Sequence, residues 1–307
     1  MGLFNLFKKD KKEENYSNQA IAVFLNWAKN NKPIMESVSD YPRYIEFELG
    51  INDPIQLHKY LVNNEYLCKP TIKLLLDNLK VSELKEILES NALQKTGKKS
   101  VLIERILNNV PQNILDAIEN SYNGFVTSEK GENFISLNHH YIDIHIHSNW
   151  MISVDEYESV RKSLKFSASF NDVAWGIFNK RNLSYISQRH WGLVRNNRLN
   201  MYELLESENK HKEAFFKLIE VLYYDLSGLS NNDIIDEFNT LILAPGIVKY
   251  ILKLKNYYDD SLIDMCYSQN PVPFRYFEKE NFKIILNDIL SSKDIDLKSY
   301  KKYANSR

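Results

Sequence analysis

The chain has 307 residues, 44% of them hydrophobic and 12% aromatic, with nine glycines and eight prolines. That composition excludes a disordered polymer, a loop-rich β-fold and a glycine-rich phosphate cradle, and the length suits one large or two ordinary domains. A formal net charge of −1 excludes a globally basic nucleic-acid binder, so any attraction to phosphate has to come from local patches.

Cys68 and Cys266 stand far apart, which excludes a cysteine zinc finger and suits a reducing cytoplasm. No secretory leader and no bilayer-length apolar run are present, so the expected location is cytoplasmic. The abundance of Asn, Lys, Ile and Tyr points to an AT-rich bacterial or phage genome.

Residues 1–15 join Met-Gly-Leu-Phe-Asn-Leu-Phe to Lys8, Lys9, Lys11 and Lys12. They read as a flexible basic N-terminus, frayed or docked on its own domain. The alternative is an interfacial segment on an anionic membrane. Seven residues bury little there, and Leu6 stands where a myristoylation signal needs Ser or Thr.

Residues 16–150 read as an N-terminal helical domain. Ile21, Phe24, Leu25 and Ala28 predict an amphipathic helix over 18–30. Asp53-Pro54 predicts an N-cap with proline in the first turn, opening a helix through Leu57, Tyr60 and Leu61. A short helix over 71–78 should follow.

Residues 79–110 predict two short helices joined by a tight turn. Leu84, Ile87 and Leu88 share one face of the first, with Ser82 as its expected N-cap and Glu83 in its first turn. Leu102, Ile103, Ile106, Leu107 and Val110 repeat the device in the second. Gly97 supplies the turn, with Lys95, Lys98 and Lys99 around it, and no acid occurs from Asn91 to Ile103. A helix N-terminus with open N–H groups beside concentrated lysine suits phosphate oxygens. The competing reading is a helical hairpin whose lysines only solvate its surface.

This segment resembles the SAP motif, a helix–turn–helix module of chromosomal and DNA-repair proteins. The resemblance rests on Leu79, Val81, Leu84, Lys85 and Leu88 in the first half. In the second half it rests on Leu93, Gly97, Lys99, Leu102, Arg105 and Ile106. It implies DNA binding, often with an AT-rich preference. The residues expected to carry that binding, from the charge around the turn, are Lys95, Gly97, Lys98 and Lys99, with Lys85 and Arg105 as further participants. Ala92 stands where the family usually has Gly. Alanine disfavours the left-handed conformation, so the first helix is expected to end differently.

Further on, Phe125 to Gly131 and Phe134-Ile135 suggest strand, turn and extended segment, so a β-hairpin is expected within 125–147. It reads either as a wing beside the helices or as a connector between domains. Within it, His139 to His147 alternates as a strand, with Ile142, Ile144 and Ile146 on one face and Asp143, His145 and His147 on the other. The string resembles the first motif of the polymerase-and-histidinol-phosphatase metal-dependent phosphoesterases, which would imply metal-assisted phosphate-ester hydrolysis. No later Gly-x-Glu or Gly-Ser-Asp-x-His-like element completes such a ligand set, so no metal or other cofactor is expected.

Residues 151–307 read as a C-terminal helical domain. Ser153 opens it as an N-cap, and helices are predicted over 170–180, 200–226, 232–243, 246–258 and 278–290. Tyr223-Tyr224 and Tyr257-Tyr258 read as packing groups. From Val173 to Tyr202 no acid occurs, while Lys180, Arg181, Arg189, Arg195 and Arg198 alternate with Trp175, Tyr185, His190 and Trp191. That pattern suits a second nucleic-acid surface. The alternative is pairing with acids such as Glu203, Glu206 and Glu208.

No nucleophile–base pair, phosphate-binding loop or dinucleotide fingerprint is recognisable. The expected fold is mainly α, with a SAP-like helical hairpin in the N-terminal domain, a small β-hairpin and a C-terminal helical domain. Three function classes follow. The first is a non-enzymatic DNA-binding protein whose C-terminal domain positions the motif or recruits a protein partner. The others are a phosphoesterase centred on Asp143, His145 and His147, and a helical protein-interaction scaffold.

Overall fold

In a computed structural model of the chain, residues 16–31, 34–35 and 37–306 are described. The basic segment 1–15 lies outside them. The chain falls into two compact units with the boundary between Ile146 and His147.

The first unit opens with α1 (Asn18–Asn31), whose Ala20 to Leu25 stretch is buried along with Ala28. It continues through α2 (Tyr44–Phe47) and α3 (Pro54–Asn63), then β1 (Leu67–Cys68). At the start of α3 the Asp53 carboxylate accepts from the Ile55 and Gln56 N–H groups at 3.0 and 3.1 Å, the N-cap its sequence predicts. Four helices follow: α4 (Ile72–Asn78), α5 (Val81–Ser90), α6 (Lys99–Asn109) and α7 (Gln112–Ser121). The chain then returns through β2 (Val126–Thr127) into α8 (Glu129–Leu137) and α9 (His139–Ile146).

The fold is mainly helical, and among the described residues its one sheet has two strands. β1 pairs antiparallel with β2, Leu67 opposite Thr127 and Cys68 opposite Val126. The hairpin expected within 125–147 is therefore not local. Instead of turning back on itself, β2 joins a strand some sixty residues earlier, and Ser128 immediately caps α8 by accepting from the Gly131 N–H at 3.0 Å. Gly131 is a packing glycine, because a Cβ there would lie 2.3 Å from the Tyr66 carbonyl oxygen.

The expected strand 139–147 is helix α9. Ile142 and Ile144 are buried and Ile146 is 60% exposed, so the isoleucine alternation does not mark one face. Packing on α1 outweighs the β preference of isoleucine, as tertiary context often does.

The second unit contains α10 (Val154–Ser163), α11 (Phe170–Ser187), α12 (Trp191–Ser207), α13 (His211–Ser227), α14 (Pro245–Lys253), α15 (Ser261–Gln269) and α16 (Lys279–Leu290). Ser153 caps α10 as predicted, accepting from the Glu156 N–H at 3.1 Å. The helix predicted over 200–226 is two helices: Asn209 adopts φ +58° and turns the chain between α12 and α13. No α-helix covers 232–243. Asn232 and Asp233 have φ of +61° and +56°, which leaves only a 3₁₀ turn at Phe238–Thr240.

Helix α13 is the buried centre of this unit, flanked by α12, α14 and α15. Glu220 on α13 is 1% exposed and is ion-paired with Lys217 at 2.5 Å and Arg198 at 3.4 Å. Its other buried partner is Asn270, whose amide donates to Glu220 at 2.9 Å and whose side-chain oxygen accepts from the Tyr224 hydroxyl at 3.0 Å. Removing any one charge would strand the others in a low-dielectric core. Tyr223 and Tyr224 are buried packing groups, whereas Tyr257 is 40% exposed.

Candidate nucleic-acid interface

Helices α4 to α7 have a core of their own. Leu76, Leu84, Leu88, Leu102, Ile103, Ile106, Val110 and Leu115 pack together, while α1, α3, α8 and α9 bury a different set that includes Phe24, Leu57, Leu61 and Ile135. The four-helix module is thus an excursion from the first unit, closed at its base by the β1–β2 ladder. Two further bonds tighten the neck. Lys69 Nζ donates to the Tyr122 carbonyl at 3.2 Å, and the Ile72 N–H donates to Glu119 Oε1 at 2.6 Å.

The loop between α5 and α6 is held in one shape by three devices. Ala92 takes the left-handed conformation, φ +55°, contrary to what its methyl group suggests. The Leu93 N–H reaches the Leu88 carbonyl at 2.8 Å and the Ala92 N–H reaches that of Glu89 at 3.0 Å. This is the full Schellman pair, so the helix ends in the glycine manner despite the alanine. Gly97 has φ +136°, a conformation that strains any L side chain, and a Cβ there would also crowd Val101 Cγ1 at 3.1 Å. Arg105 Nη1 donates to the carbonyls of Gln94 and, at 3.0 Å, Thr96.

The expected contact residues therefore separate by what holds them. Lys95 is ion-paired with Glu89 at 2.6 Å, both largely exposed. Lys99 is half-buried and its Nζ donates to the Asp77 carbonyl at 2.7 Å, tying the start of α6 to the end of α4. Lys98 and Lys85 are exposed, and neither makes an ion pair among the described residues. Lys98 is the N-cap of α6, and its side chain accepts nothing. The first-turn amides of α6 are left without a side-chain acceptor, unlike those of α3, α8 and α10.

Helix α5 starts earlier than predicted. Its N-cap is Lys80, not Ser82, and the Lys80 N–H donates to Glu83 Oε2 at 2.5 Å. Lys80 is exposed and lies three residues from Asp77, hence within about 11 Å of the carbonyl that Lys99 reaches. It is an exposed basic residue between α4 and α5 that sequence reasoning did not nominate. Its signal was Glu83 three positions later, half of a capping box without the usual hydroxyl.

In the second unit the arginines of 173–202 meet acids distant in sequence. Arg181 forks Glu156 at 3.0 and 2.5 Å and also donates to the Trp150 and Met151 carbonyls, both at 2.8 Å. Arg195 forks Asp225 at 2.7 and 2.9 Å. Arg189 pairs with Asp233 and Arg198 with Glu220. None of the four pairs with Glu203, Glu206 or Glu208. Lys180 is exposed and makes no ion pair among the described residues. Trp191 is 5% exposed, which removes it as a stacking platform.

The Asp143, His145 and His147 set is dispersed by the helix. Asp143 pairs with His139 at 2.9 Å, His145 with Glu48 at 2.9 Å, and His147 stacks on Trp150 with ring centroids 4.0 Å apart. Among the described residues, no group of three or more His, Cys, Asp or Glu side chains is placed to hold a metal ion.

Residues 75–111 match the SAP domain family. The match spans α5 and α6 whole, begins inside α4 and stops before α7, so the four helices extend past the family segment at both ends and the buried core passes it at Leu115. The SAP domain is a DNA-binding motif. Comparison with curated proteins and with solved structures finds no match. No described helix is long and apolar enough to cross a membrane.

Proposed function

We propose that this is a non-enzymatic, cytoplasmic DNA-binding protein that grips the phosphate backbone with the SAP module. The supporting observation is the start of α6. First-turn amides without a side-chain cap, the exposed ammonium of Lys98 and the Gly97 turn converge there, with the half-buried Lys99 as the first helical residue. A phosphate at that point gains amide hydrogen bonds and the charge of Lys98 together. Lys95 joins by exchanging Glu89 for phosphate, and Lys85 extends the contact along α5.

Arg105 and Lys99 act mainly as positioning residues in this reading. One holds the loop by its carbonyls and the other holds α4 against α6. Binding through phosphates is tolerant of sequence and falls as salt rises. The test is an electrophoretic shift with AT-rich, GC-rich and single-stranded probes, comparing the wild type with Lys98→Glu. Lys98 makes no ion pair to lose, so its reversal reports on DNA alone, whereas reversal of Lys99 would also uncap α4. Equal affinity for every probe after Lys98→Glu would remove this surface from consideration.

A further inference from the structure

Between positions 3 and 7 the chain carries Leu3, Phe4, Leu6 and Phe7, followed at once by Lys8 and Lys9. DNA binding by the SAP module makes no use of them. This segment enters the described chain at Tyr16, whose ring packs edge-on against Tyr60 of α3 with centroids 5.1 Å apart. One turn further along, the Asn64 N–H donates to the Tyr60 carbonyl at 2.9 Å. The Asn64 carbonyl in turn accepts from Lys130 Nζ at 2.8 Å.

Lys130 lines a groove of about 490 Å³ together with Tyr66 and the α8 residues Glu129, Asn133, Phe134 and Leu137. Tyr66 and Phe134 meet edge to face with centroids 5.3 Å apart. Leu137 is 81% exposed and stands three residues after Phe134, so the two share one face of α8. The groove is thus apolar along Tyr66, Phe134 and Leu137. Its one cation is already placed, 4.6 Å from the centroid of the Tyr66 ring. Glu129 in the lining and Glu65 beside Tyr66 are exposed, and neither makes an ion pair among the described residues.

We propose that residues 3–7 of this chain dock in that groove, their leucines and phenylalanines against Tyr66, Phe134 and Leu137, with Lys8 and Lys9 facing Glu129 and Glu65. The reach is sufficient. Tyr16 and Lys130 are separated by one ring contact, one helical turn and one hydrogen bond, whereas the nine residue steps from Phe7 to Tyr16 span up to about 30 Å. Charge is complementary, two lysines meeting two acids that have no other ion-pair partner among the described residues. Tethering decides between this groove and a membrane surface. A segment this short buries little apolar area in either place, but a linker of nine residues presents it to the groove at an effective concentration of order millimolar. The inference is independent of DNA binding by the module.

The test is a double-mutant cycle in the full-length protein, with Phe4→Ser, Phe7→Ser as one arm and Leu137→Gln as the other. The readout is amide exchange in peptides covering α8. Glutamine is a good helix former, so Leu137→Gln at an exposed position perturbs α8 only if something covers Leu137. Docking predicts that each arm speeds exchange at least about threefold and that their combination adds nothing further. The inference is overturned if either arm leaves exchange unchanged, or if the two effects add. It is also overturned if the coupling disappears on dilution, which would assign the groove to a second copy of the chain. Cosedimentation of the wild type with phosphatidylglycerol vesicles, lost in Phe4→Ser, Phe7→Ser, would give the segment to a membrane and overturn it equally.

Discussion

Ala92→Gly should stabilise the SAP module. Ala92 closes α5 at φ +55° with both Schellman hydrogen bonds formed, so the methyl group is strained in a position that glycine occupies freely. The left-handed conformation costs an L-residue roughly 1–2 kcal/mol, while glycine loses about 0.4–1 kcal/mol through greater freedom of the unfolded chain. The net gain is about 0.5–1 kcal/mol. No hydrogen bond depends on the Ala92 side chain, and its substitution leaves the lysines in place. Urea unfolding followed by circular dichroism should show a higher midpoint at unchanged slope. Amide exchange in α5 and α6 should slow by a similar factor. Ala92→Val, which adds β-branching to the same strained backbone, should move the midpoint the other way. If Ala92→Gly lowers stability, the left-handed C-cap described for α5 is wrong, and with it the geometry of the loop that presents Lys98.

Arg105→Ala should release the Gln94 and Thr96 carbonyls, costing about 1 kcal/mol of module stability. It should also lower DNA affinity for all probes alike, and Arg105→Lys should restore little because one ammonium cannot reproduce a guanidinium fork; full rescue by lysine would refute the positioning role. Stability of the first unit should depend on pH through His58. Fully buried, this imidazole sits among Phe24, Tyr41 and Phe125 with the Tyr41 hydroxyl 2.8 Å from Nδ1. Burial lowers its pKa from 6.5 to about 4. The unfolded chain therefore binds the proton more readily. His58 contributes fully above pH 6.5, and its contribution is lost as pH falls toward about 4, an effect of about 3 kcal/mol over the whole window. Urea midpoints measured across that range should decline in the wild type and flatten in His58→Gln; an unchanged slope in the variant would contradict the assignment.

The paired helices of the SAP module were legible because their apolar spacing is local and Gly97 marks the turn. The Asp53-Pro54 and Ser153 helix starts were legible for the same reason: a cap needs only residues three positions apart. What escaped the sequence depends on distant partners. The β1–β2 ladder joins two-residue strands whose pairing is set by the module between them. The arginines of 173–202 find Glu156, Asp225, Asp233 and Glu220, none of which the local pattern could nominate. Three isoleucines in alternation looked like a strand until packing against α1 made them helical. Ala92 shows the converse, a residue whose preference is overridden by two backbone hydrogen bonds and its neighbours. Within the candidate site, Gly97 and the lysines were visible, but the bonds from Lys99 to the Asp77 carbonyl and from Arg105 to those of Gln94 and Thr96 were not, because they depend on how the chain folds back.

The central claim is that phosphate sits at the start of α6, and the salt dependence of DNA affinity for wild type and Lys98→Glu tests it most directly. Plotted as logarithms, each phosphate contact on duplex DNA contributes a slope of about −0.9. The account predicts that Lys98→Glu weakens binding to every duplex probe, makes the slope shallower by about one contact and leaves the thermal midpoint unchanged. Unchanged affinity and slope in Lys98→Glu, with the protein still folded and still binding DNA, would place the interface elsewhere and contradict it.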